Sequence, residues 1–251
     1  GDLITKKYPE ESLKINEELT EKSINFFLNQ KIDKLIFIST CSNYGIQRGD
    51  NLADEESELK PLSLYAKSKV KIEKFILSKK NYSKSSATIL RFATAFGLSE
   101  RMRFDLTVNQ FTLESFVKNK LLVYDSDTWR PYCHVLDFAS LIEKVIEAPN
   151  KLTSFEVFNA GGNKNNHRKI DIVEKIKKHN TTLKVEFKDN GSDMRNYNVN
   201  FNKVNEILNF KPSYSVEDGI IETINELKKN NFKDFETNIN KYGNYIINYN
   251  A

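Results

Sequence analysis

The sequence predicts an α/β fold organised around a parallel β-sheet. Segments with helical spacing of apolar residues alternate along the chain with short β-rich segments. Residues 35–38 (LIFI) form a continuous apolar run, which is typical of a strand buried on both faces of a parallel sheet. An amphipathic segment at 61–77 separates this run from a second β-rich segment at 87–92. That order is a βαβ unit, whose crossover is almost always right-handed.

The other elements continue this alternation, and they become shorter and more mixed beyond residue 97. In chain order, the expected elements are a helix at 11–30, a strand at 35–38, a helix at 61–77, a strand at 87–92, a helix at 109–118, a strand at 121–124, a helix at 137–148, a strand at 155–158, a helix at 169–178, a strand at 182–187 and helices at 202–208 and 215–229. The tail from Asn238 fits no element. We therefore expect two regions, 1–97 and 98–251, with some segments of the second returning to the first sheet.

Composition narrows the class of protein. The 38 basic and 34 acidic residues give a net charge of +4 and are interspersed, whereas a nucleic-acid groove concentrates basic residues on one face. No apolar run approaches the roughly 20 residues that span a bilayer, and the N-terminus carries no signal-peptide core. Cys41 and Cys133 indicate no disulfide framework. We expect a cytoplasmic protein with neither a nucleic-acid nor a membrane partner.

A tyrosine and a lysine on one helix face are the first candidates for chemistry. Tyr65 and Lys69 are four residues apart, so both side chains point to the same face of the predicted helix. A tyrosine titrates near pH 10, and a neighbouring ammonium favours the phenolate, which would supply a general base nearer neutral pH. The alternative is an exposed tyrosine beside a lysine-rich face, because a chain with 11 tyrosines produces such a spacing by chance.

Thr40 strengthens the catalytic interpretation of that helix. It follows the predicted strand at 35–38 directly, and functional groups gather at the carboxyl ends of strands in such sheets. The alternative for Thr40 is a turn or helix-capping hydroxyl.

Five segments, in order, resemble the extended short-chain dehydrogenase/reductase family, which includes UDP-glucose 4-epimerase and related nucleotide-sugar epimerases and dehydratases. The segments are 37–45 (FISTCSNYG), 61–69 (PLSLYAKSK), 91–97 (RFATAFG), 129–137 (WRPYCHVLD) and 193–212, which begins DMRNY and ends LNFKP. The resemblance implies a Rossmann-type parallel sheet with a smaller α+β substrate domain. It also implies NAD as cofactor, with NADP as the alternative, and a nucleotide-diphosphate sugar as the substrate.

The resemblance also implies roles for individual residues. Tyr65 would take the proton of a sugar hydroxyl, Lys69 would hold the nicotinamide ribose and lower the pKa of Tyr65, and Thr40 would hydrogen-bond the reacting hydroxyl. The sugar would lose a hydride to NAD and become a keto-sugar, to which an epimerase returns the hydride on the other face. The implied cofactor-binding residues are Ser39, Thr40, Tyr65, Lys69 and Phe92, and the implied substrate-binding residues are Ser42, Asn43, Asn109, Arg130 and Arg195. No metal is implied.

Several of these residues also have plain structural explanations. Arg130 and Arg195 resemble diphosphate contacts, for which a guanidinium fork is suited, but surface salt bridges are the alternative. Asn109 resembles an asparagine that contacts the nucleotide side of the substrate. The alternative is that it caps a helix. His134 lies in a strand-like segment and is interpreted as structural.

Two departures from the family pattern bear on activity. The 4,6-dehydratases place an Asp-Glu pair directly after the threonine, where this chain has Cys41 and Ser42, so we expect epimerisation or keto-sugar reduction rather than dehydration. The nine glycines form no G-x-G-x-x-G or G-x-x-G-x-x-G loop, which in the family opens the chain and holds the cofactor diphosphate. We therefore expect an N-terminally truncated member, without the first mononucleotide-binding half, that binds NAD poorly and is inactive without its glycine-rich segment.

Three functions are compatible with the sequence. The first is an NAD-dependent epimerase, the second a keto-sugar reductase of the same family, and the third a non-catalytic protein that binds nucleotide sugars through the two arginines. In each case region 1–97 is the partial NAD-binding domain and region 98–251 mainly binds the nucleotide sugar. Family resemblance also implies a homodimer formed through helices 11–30 and 61–77.

Overall fold

The computed structural model describes residues 1–47, 52–191, 193–243 and 246–247. The helices are α1 (Asp2–Lys7), α2 (Pro9–Leu13), α3 (Thr20–Asn29), α4 (Leu64–Ser78), α5 (Thr107–Lys118), α6 (Val135–Glu147), α7 (Asn150–Thr153), α8 (Lys169–Lys177), α9 (Asn202–Leu208), α10 (Val216–Lys228) and α11 (Ile239–Tyr242). The strands are β1 (Lys34–Thr40), β2 (Ser86–Phe92), β3 (Thr94–Phe96), β4 (Lys120–Tyr124), β5 (Trp129–His134), β6 (Glu156–Ala160), β7 (Asn166–Arg168) and β8 (Lys184–Lys188). A π-helical segment, Lys14–Leu19, joins α2 to α3, and short 3-10 segments cover Cys41–Tyr44 and Asn163–Asn165.

A three-stranded parallel sheet carries the residues expected to act. Its order is β1-β2-β6, and α4 connects β1 to β2. The register aligns Thr40 with Phe92 and Phe92 with Ala160, so the three strands end at one edge. The expected α/β fold with a parallel sheet is confirmed, and β6 from beyond residue 98 lies in the same sheet as β1 and β2.

Two smaller sheets lie outside the first one. β3 pairs with β5 in parallel and β5 pairs with β7 antiparallel, while β4 and β8 form a parallel pair. β5 carries Arg130, which is linked through Asp193 and Arg195 to Ser42, two residues after Thr40. The sequence did not predict β3 or β7, because each has only three residues, too few to show a period.

Local contacts explain where two helices differ from their predicted bounds. The predicted helix at 61–77 begins at Leu64, because the Ser63 hydroxyl accepts a hydrogen bond of 3.1 Å from the Ala66 N–H and caps the helix. The predicted helix at 11–30 contains the π-helical segment. There Glu17 accepts hydrogen bonds from Ser68 Oγ (2.7 Å) and Lys71 Nζ (2.6 Å), which tie this segment to α4.

The core covers both faces of the first sheet. On one face, α3 and α4 bury Ile24, Leu28, Ile72 and Ile76 against Phe37, Ala87 and Ile89. On the other face, α6 buries Phe138, Leu141 and Val145.

An open apolar groove of about 400 Å³ runs between α3 and β1. Among the described residues, no helix has the length and apolar character that a membrane span needs.

Candidate active site

Tyr65 and Lys69 lie in the first two turns of α4, beside the end of β1. Lys69 is half-buried, and its ammonium donates a 2.8 Å hydrogen bond to the Ile38 carbonyl of β1. The same ammonium lies 4.6 Å from the Phe37 ring centroid and 5.7 Å from that of Tyr65. Burial lowers the pKa of Lys69, and the Glu73 carboxylate partly opposes this effect. The structure therefore brings the predicted pair together, with the lysine engaged by the strand.

The pKa of Tyr65 differs from the sequence-based expectation. Burial and the nearby Asp2 carboxylate raise it to about 12, and the positive charge that opposes them is Arg103. We expected Lys69 to lower this pKa, but the Lys69 ammonium is directed to the β1 carbonyl. In this state Tyr65 is protonated at neutral pH.

A short chain of hydroxyl groups leads away from Thr40. The Thr40 hydroxyl accepts from the Ser42 N–H at 3.1 Å and donates to Ser42 Oγ at 3.0 Å. Ser42 Oγ in turn accepts a 3.2 Å hydrogen bond from Arg195 and lies 3.4 Å from the Tyr197 hydroxyl. Thr40 thus caps the 3-10 segment, which is the turn or capping role that the sequence offered as its alternative. It also connects that segment to the arginine expected to contact phosphate.

Two arginines and two carboxylates form what we call the mouth cluster: Arg130, Arg195, Asp2 and Asp193. Arg195 holds Asp193 with two hydrogen bonds of 2.7 and 2.8 Å, and its Nη1 lies 2.5 Å from Asp2 Oδ2. Arg130 Nη2 lies 3.1 Å from Asp193 Oδ2, and its guanidinium carbon is 5.1 Å from the Tyr197 ring centroid. The structure therefore brings together the two arginines that sequence analysis selected 65 residues apart.

The electrostatics of the mouth cluster favour an anion. Burial alone would raise the pKa of Asp193, but its hydrogen bond to Arg195 and the charge of Arg130 hold it well below its usual range. Arg130 is 5% exposed, and its Nη2 meets Asp193 in ion-pair contact without hydrogen-bond geometry. Among the described residues, this leaves a buried guanidinium N–H without an acceptor, which a ligand oxygen would satisfy.

Ser39 and Asn43, predicted to bind cofactor and substrate, lie behind this surface. The Ser39 hydroxyl donates to Glu73 Oε1, and Asn43 Nδ2 donates to the same oxygen at 2.8 Å. Both residues are buried, at 1% and 0% exposed. In this structure their polar groups contact the protein interior, together with Glu73 and Arg91.

The remaining predicted residues have defined surroundings. Phe92 stacks on Phe138, with ring centroids 3.7 Å apart. Asn109 is buried; its Oδ1 accepts from the Gly97 N–H at 3.1 Å, and its Nδ2 donates to the Arg103 carbonyl at 3.3 Å. It therefore anchors the loop between β3 and α5 rather than capping a helix.

His134 has the structural surroundings that its sequence position suggested. Its Nδ1 accepts from the Leu136 N–H at 3.2 Å, so its Nε2 carries the proton and donates to Glu222 Oε1 at 2.6 Å. Gly97 has φ +102°, and a Cβ there would lie 2.1 Å from His134 Nε2. Only glycine fits both constraints.

Cys41 occupies the position where the 4,6-dehydratases carry an acidic residue. It is 1% exposed, and its thiol lies 3.1 Å from the Arg91 carbonyl. Burial raises the pKa of this thiol, so it remains protonated at neutral pH. Within the described parts of the chain, no group of three or more His, Cys, Asp or Glu side chains is placed to hold a metal ion.

Sequence analysis missed several residues of the site: Asp2, Glu73, Arg103, Asp193 and Tyr197. Glu73 had a readable signal, since it is an acid four residues after Lys69 on the face of α4 that also carries Ile72 and Ile76. Buried acids are rare unless paired, so such a residue predicts an internal partner. Asp2 carries no comparable signal, because its contact with Arg195 spans 193 positions.

Comparison with known proteins bears on the fold and on the family. The fold is that of solved Rossmann-type enzymes. UDP-glucuronic acid 4-epimerase from Bacillus cereus, solved with UDP-glucuronic acid and NAD, superposes with a TM-score of 0.75 at 23% identity over 86% of this chain and 68% of that one. RMD from Pseudomonas aeruginosa, solved with NADPH, gives 0.80 at 15% identity over 92% of this chain and 78% of that one. At these identities the likeness concerns the fold.

The family model described as the NAD dependent epimerase/dehydratase family matches residues 3–161, and the chain belongs to that family. An uncharacterised UDP-glucose epimerase of Bacillus subtilis, YtcB, is 24% identical over 83% of this chain and 65% of its own length. The uncharacterised protein MJ1055 of Methanocaldococcus jannaschii is 25% identical over 83% of this chain and 63% of its own length. The chain thus spans slightly less than two thirds of these relatives.

Proposed function

We propose that this protein is an NAD-dependent epimerase of a nucleotide-diphosphate sugar, acting through a transient keto-sugar with Tyr65 as the base. The observation that carries the proposal is the hydroxyl chain from Thr40 through Ser42 to Arg195. It links the mouth cluster, which would bind a diphosphate, to the end of β1 beside the tyrosine–lysine helix, and such folds bind their ligands at that edge of the sheet. UDP-sugar epimerases among the relatives support the same substrate class.

The residues fit the nicotinamide end of the cofactor. Lys69 offers a half-buried ammonium and Tyr65 a hydroxyl beside the carboxyl end of β1, and these groups would hold the nicotinamide ribose. The sequence carries no glycine-rich loop for the cofactor diphosphate. When bound, NAD supplies a hydride acceptor and returns the hydride.

The protein's own part in the reaction is to bind the substrate, orient it and move a proton. Arg130 and Arg195 bind the diphosphate, whose oxygens replace Asp2 on Arg195 and satisfy the unpaired N–H of Arg130. Thr40 orients the sugar hydroxyl, and the Tyr65 oxygen accepts its proton.

Cys41 supports epimerisation over dehydration. Dehydration needs an acid–base pair beside the sugar, and the buried, protonated thiol of Cys41 cannot exchange protons with a substrate at neutral pH. Epimerisation needs only Thr40, Tyr65 and Lys69.

The test is product analysis of the protein preceded by a glycine-rich cofactor-binding segment, because the sequence itself carries no such loop. The protein is supplied with NAD and UDP-glucose or UDP-glucuronic acid, and the epimers are separated by chromatography. We expect epimer formation, and we expect Tyr65→Phe to reduce the rate by about 10²-fold or more, because general base catalysis contributes roughly that factor. Tyr82→Phe, at an 83% exposed tyrosine, is the matched control and should leave the rate unchanged. Turnover by the Tyr65 variant at the wild-type rate would refute the assignment of the base.

The raised pKa of Tyr65 favours a second candidate, a protein that binds nucleotide sugars without turning them over. That function needs only the mouth cluster. Calorimetry with UDP in the absence of NAD, combined with the product analysis above, separates the two. Binding without any epimer supports the second candidate.

A further inference from the structure

Glu73 is a buried carboxylate that the proposed reaction does not use. It lies one turn beyond Lys69 on the same face of α4 and is 1% exposed. A carboxylate at such a depth is costly unless protein groups replace its water. Its partners therefore show what this charge stabilises.

Glu73 receives hydrogen bonds from three separate elements. Its Oε1 accepts from Ser39 Oγ at the end of β1 and from Asn43 Nδ2 in the 3-10 segment, the latter at 2.8 Å. Its Oε2 accepts from Arg91 Nε at 3.1 Å and Nη2 at 2.8 Å on β2. One carboxylate thus joins the catalytic helix, the strand end that carries Thr40 and the neighbouring strand.

Arg91 extends this network to a fourth element. Its Nη1 donates to the Tyr44 hydroxyl at 3.0 Å, and that hydroxyl donates to Asn159 Oδ1 on β6 at 2.7 Å. We call Ser39, Asn43, Tyr44, Glu73, Arg91 and Asn159 the buried hub. Every strand of the first sheet contributes to it, and Thr40 lies between two of its members in the chain.

We propose that Glu73, held by Arg91, is a positioning residue: it fixes the Thr40–Ser42 segment relative to Tyr65 and Lys69. The geometric basis is that α4 and the 3-10 segment meet through its carboxylate. Removing these hydrogen bonds frees the Thr40 segment to shift relative to the helix, and a shift of about 1 Å costs roughly 10²-fold in rate. The expected loss of rate rests on the proposed function. A second measurement does not depend on turnover.

That independent readout is the titration of Lys69. The Glu73 carboxylate opposes the effect of burial on the pKa of Lys69. A charge that does not act on Lys69 would leave this titration unchanged in a variant that remains folded. The pKa of Lys69 should fall when Glu73 loses its charge, and ¹³C NMR of the lysine Cε signals measures it, with Lys69→Arg identifying the signal.

The experiment uses three variants. Glu73→Gln keeps the shape and removes the charge, Glu73→Asp keeps the charge, and the double variant Glu73→Leu with Arg91→Met replaces the pair by apolar side chains, a change that often preserves stability. Glu156→Gln is the control, because Glu156 pairs with Lys203 at the surface, 2.8 Å away. Thermal unfolding, UDP affinity, epimerisation rate and Lys69 titration are measured on each.

We expect Glu73→Gln and the double variant to bind UDP within about twofold of wild type, since the mouth cluster is intact, but to lose about 10²-fold in kcat and to show a lower Lys69 pKa. Glu73→Asp should recover part of the lost kcat and part of the change in the Lys69 pKa. A folded double variant with wild-type kcat and Lys69 titration would overturn the proposal, and so would loss of the fold in all three variants. If wild type makes no epimer, the proposed function fails, while the Lys69 titration still shows whether the Glu73 charge acts on the catalytic lysine.

Discussion

The buried hub and the mouth cluster both pair arginine with carboxylate, yet most of their charged groups differ in exposure. Among the described residues, each cluster leaves one buried polar atom without a hydrogen bond: Asn43 Oδ1 in the hub and Arg130 Nη2 in the mouth cluster. In the hub, Glu73 and Arg91 side chains are 2% and 5% exposed, and four elements share their donors and acceptors. In the mouth cluster, Arg195 and Asp193 are 22% and 38% exposed, and Arg130 keeps an N–H without an acceptor. The comparison shows that pairing alone does not identify a binding site.

Burial decides which of the two can exchange partners. A charge pair removed from water loses several kcal/mol when one member goes, because the other stays buried and unpaired. The Arg195 and Asp2 side chains are 22% and 28% exposed, so water partly screens their contact and diphosphate oxygens can replace Asp2 at a smaller cost than in the hub. The hub is therefore suited to fix geometry, and the mouth cluster to bind an anion.

The largest expected effect concerns the hub. Arg91→Met leaves Glu73 as an uncompensated buried charge and should lower the free energy of unfolding by about 3–5 kcal/mol. Urea unfolding followed by circular dichroism measures this loss. Arg168→Met, at a surface arginine paired with Asp127 and Asp171, should cost no more than about 1 kcal/mol. Equal losses in the two variants would remove the distinction between hub and surface pairs.

Arg130 is expected to carry the largest effect on ligand affinity. Arg130→Met removes a buried guanidinium with a free donor and should weaken UDP binding by about 2–3 kcal/mol, or roughly 30- to 150-fold. Calorimetry at fixed ionic strength measures the change, and Arg168→Met serves again as control. Unaltered affinity would place the diphosphate elsewhere.

Substitution of Asp2 should change UDP affinity by a smaller factor and in the opposite direction. Asp2→Asn removes the carboxylate that lies 2.5 Å from Arg195, so UDP should bind roughly two- to fivefold more tightly. The same change should bring the pKa of Tyr65 below about 12, as followed by ¹³C NMR of the tyrosine ring. Glu10→Gln, at an exposed acid on α2, should change neither quantity. Weaker UDP binding in the Asp2 variant would mean that Asp2 organises the arginine instead of competing for it.

Much of the site could be predicted from sequence because its signals are local. The spacing of Tyr65 and Lys69 needs only one helix, and Thr40 needs only the end of an apolar strand. Arg130 and Arg195 were found through ordered motifs, and the structure brings both to Asp193.

The rest depends on contacts between distant elements. Ser39 and Asn43 turn inward because both bind Glu73, which lies 34 positions after Ser39 and 30 positions after Asn43. The raised pKa of Tyr65 depends on burial and on Asp2, whereas the sequence suggested only Lys69. Periodicity reports which face is buried, but it does not report which charge lies across that face.

The smallest expected effect is the contribution of Asp193 to acid stability. Its folded-state pKa is depressed below the ordinary value of 3.8, so it stabilises the folded state above that value and loses this contribution as pH falls through the folded-state pKa. The difference in thermal midpoint between wild type and Asp193→Asn should therefore narrow as pH is lowered below about 4. Asp33→Asn, at an exposed aspartate, should show a smaller dependence of the thermal midpoint on pH.

Because the Asp193 side chain is 38% exposed, salt should weaken the stabilising contribution of Asp193, whereas the contribution of the hub should be insensitive to salt. A difference that stays constant with pH would mean that the two arginines hold Asp193 no better than water does, and the mouth cluster would then lack the positive potential that diphosphate binding requires.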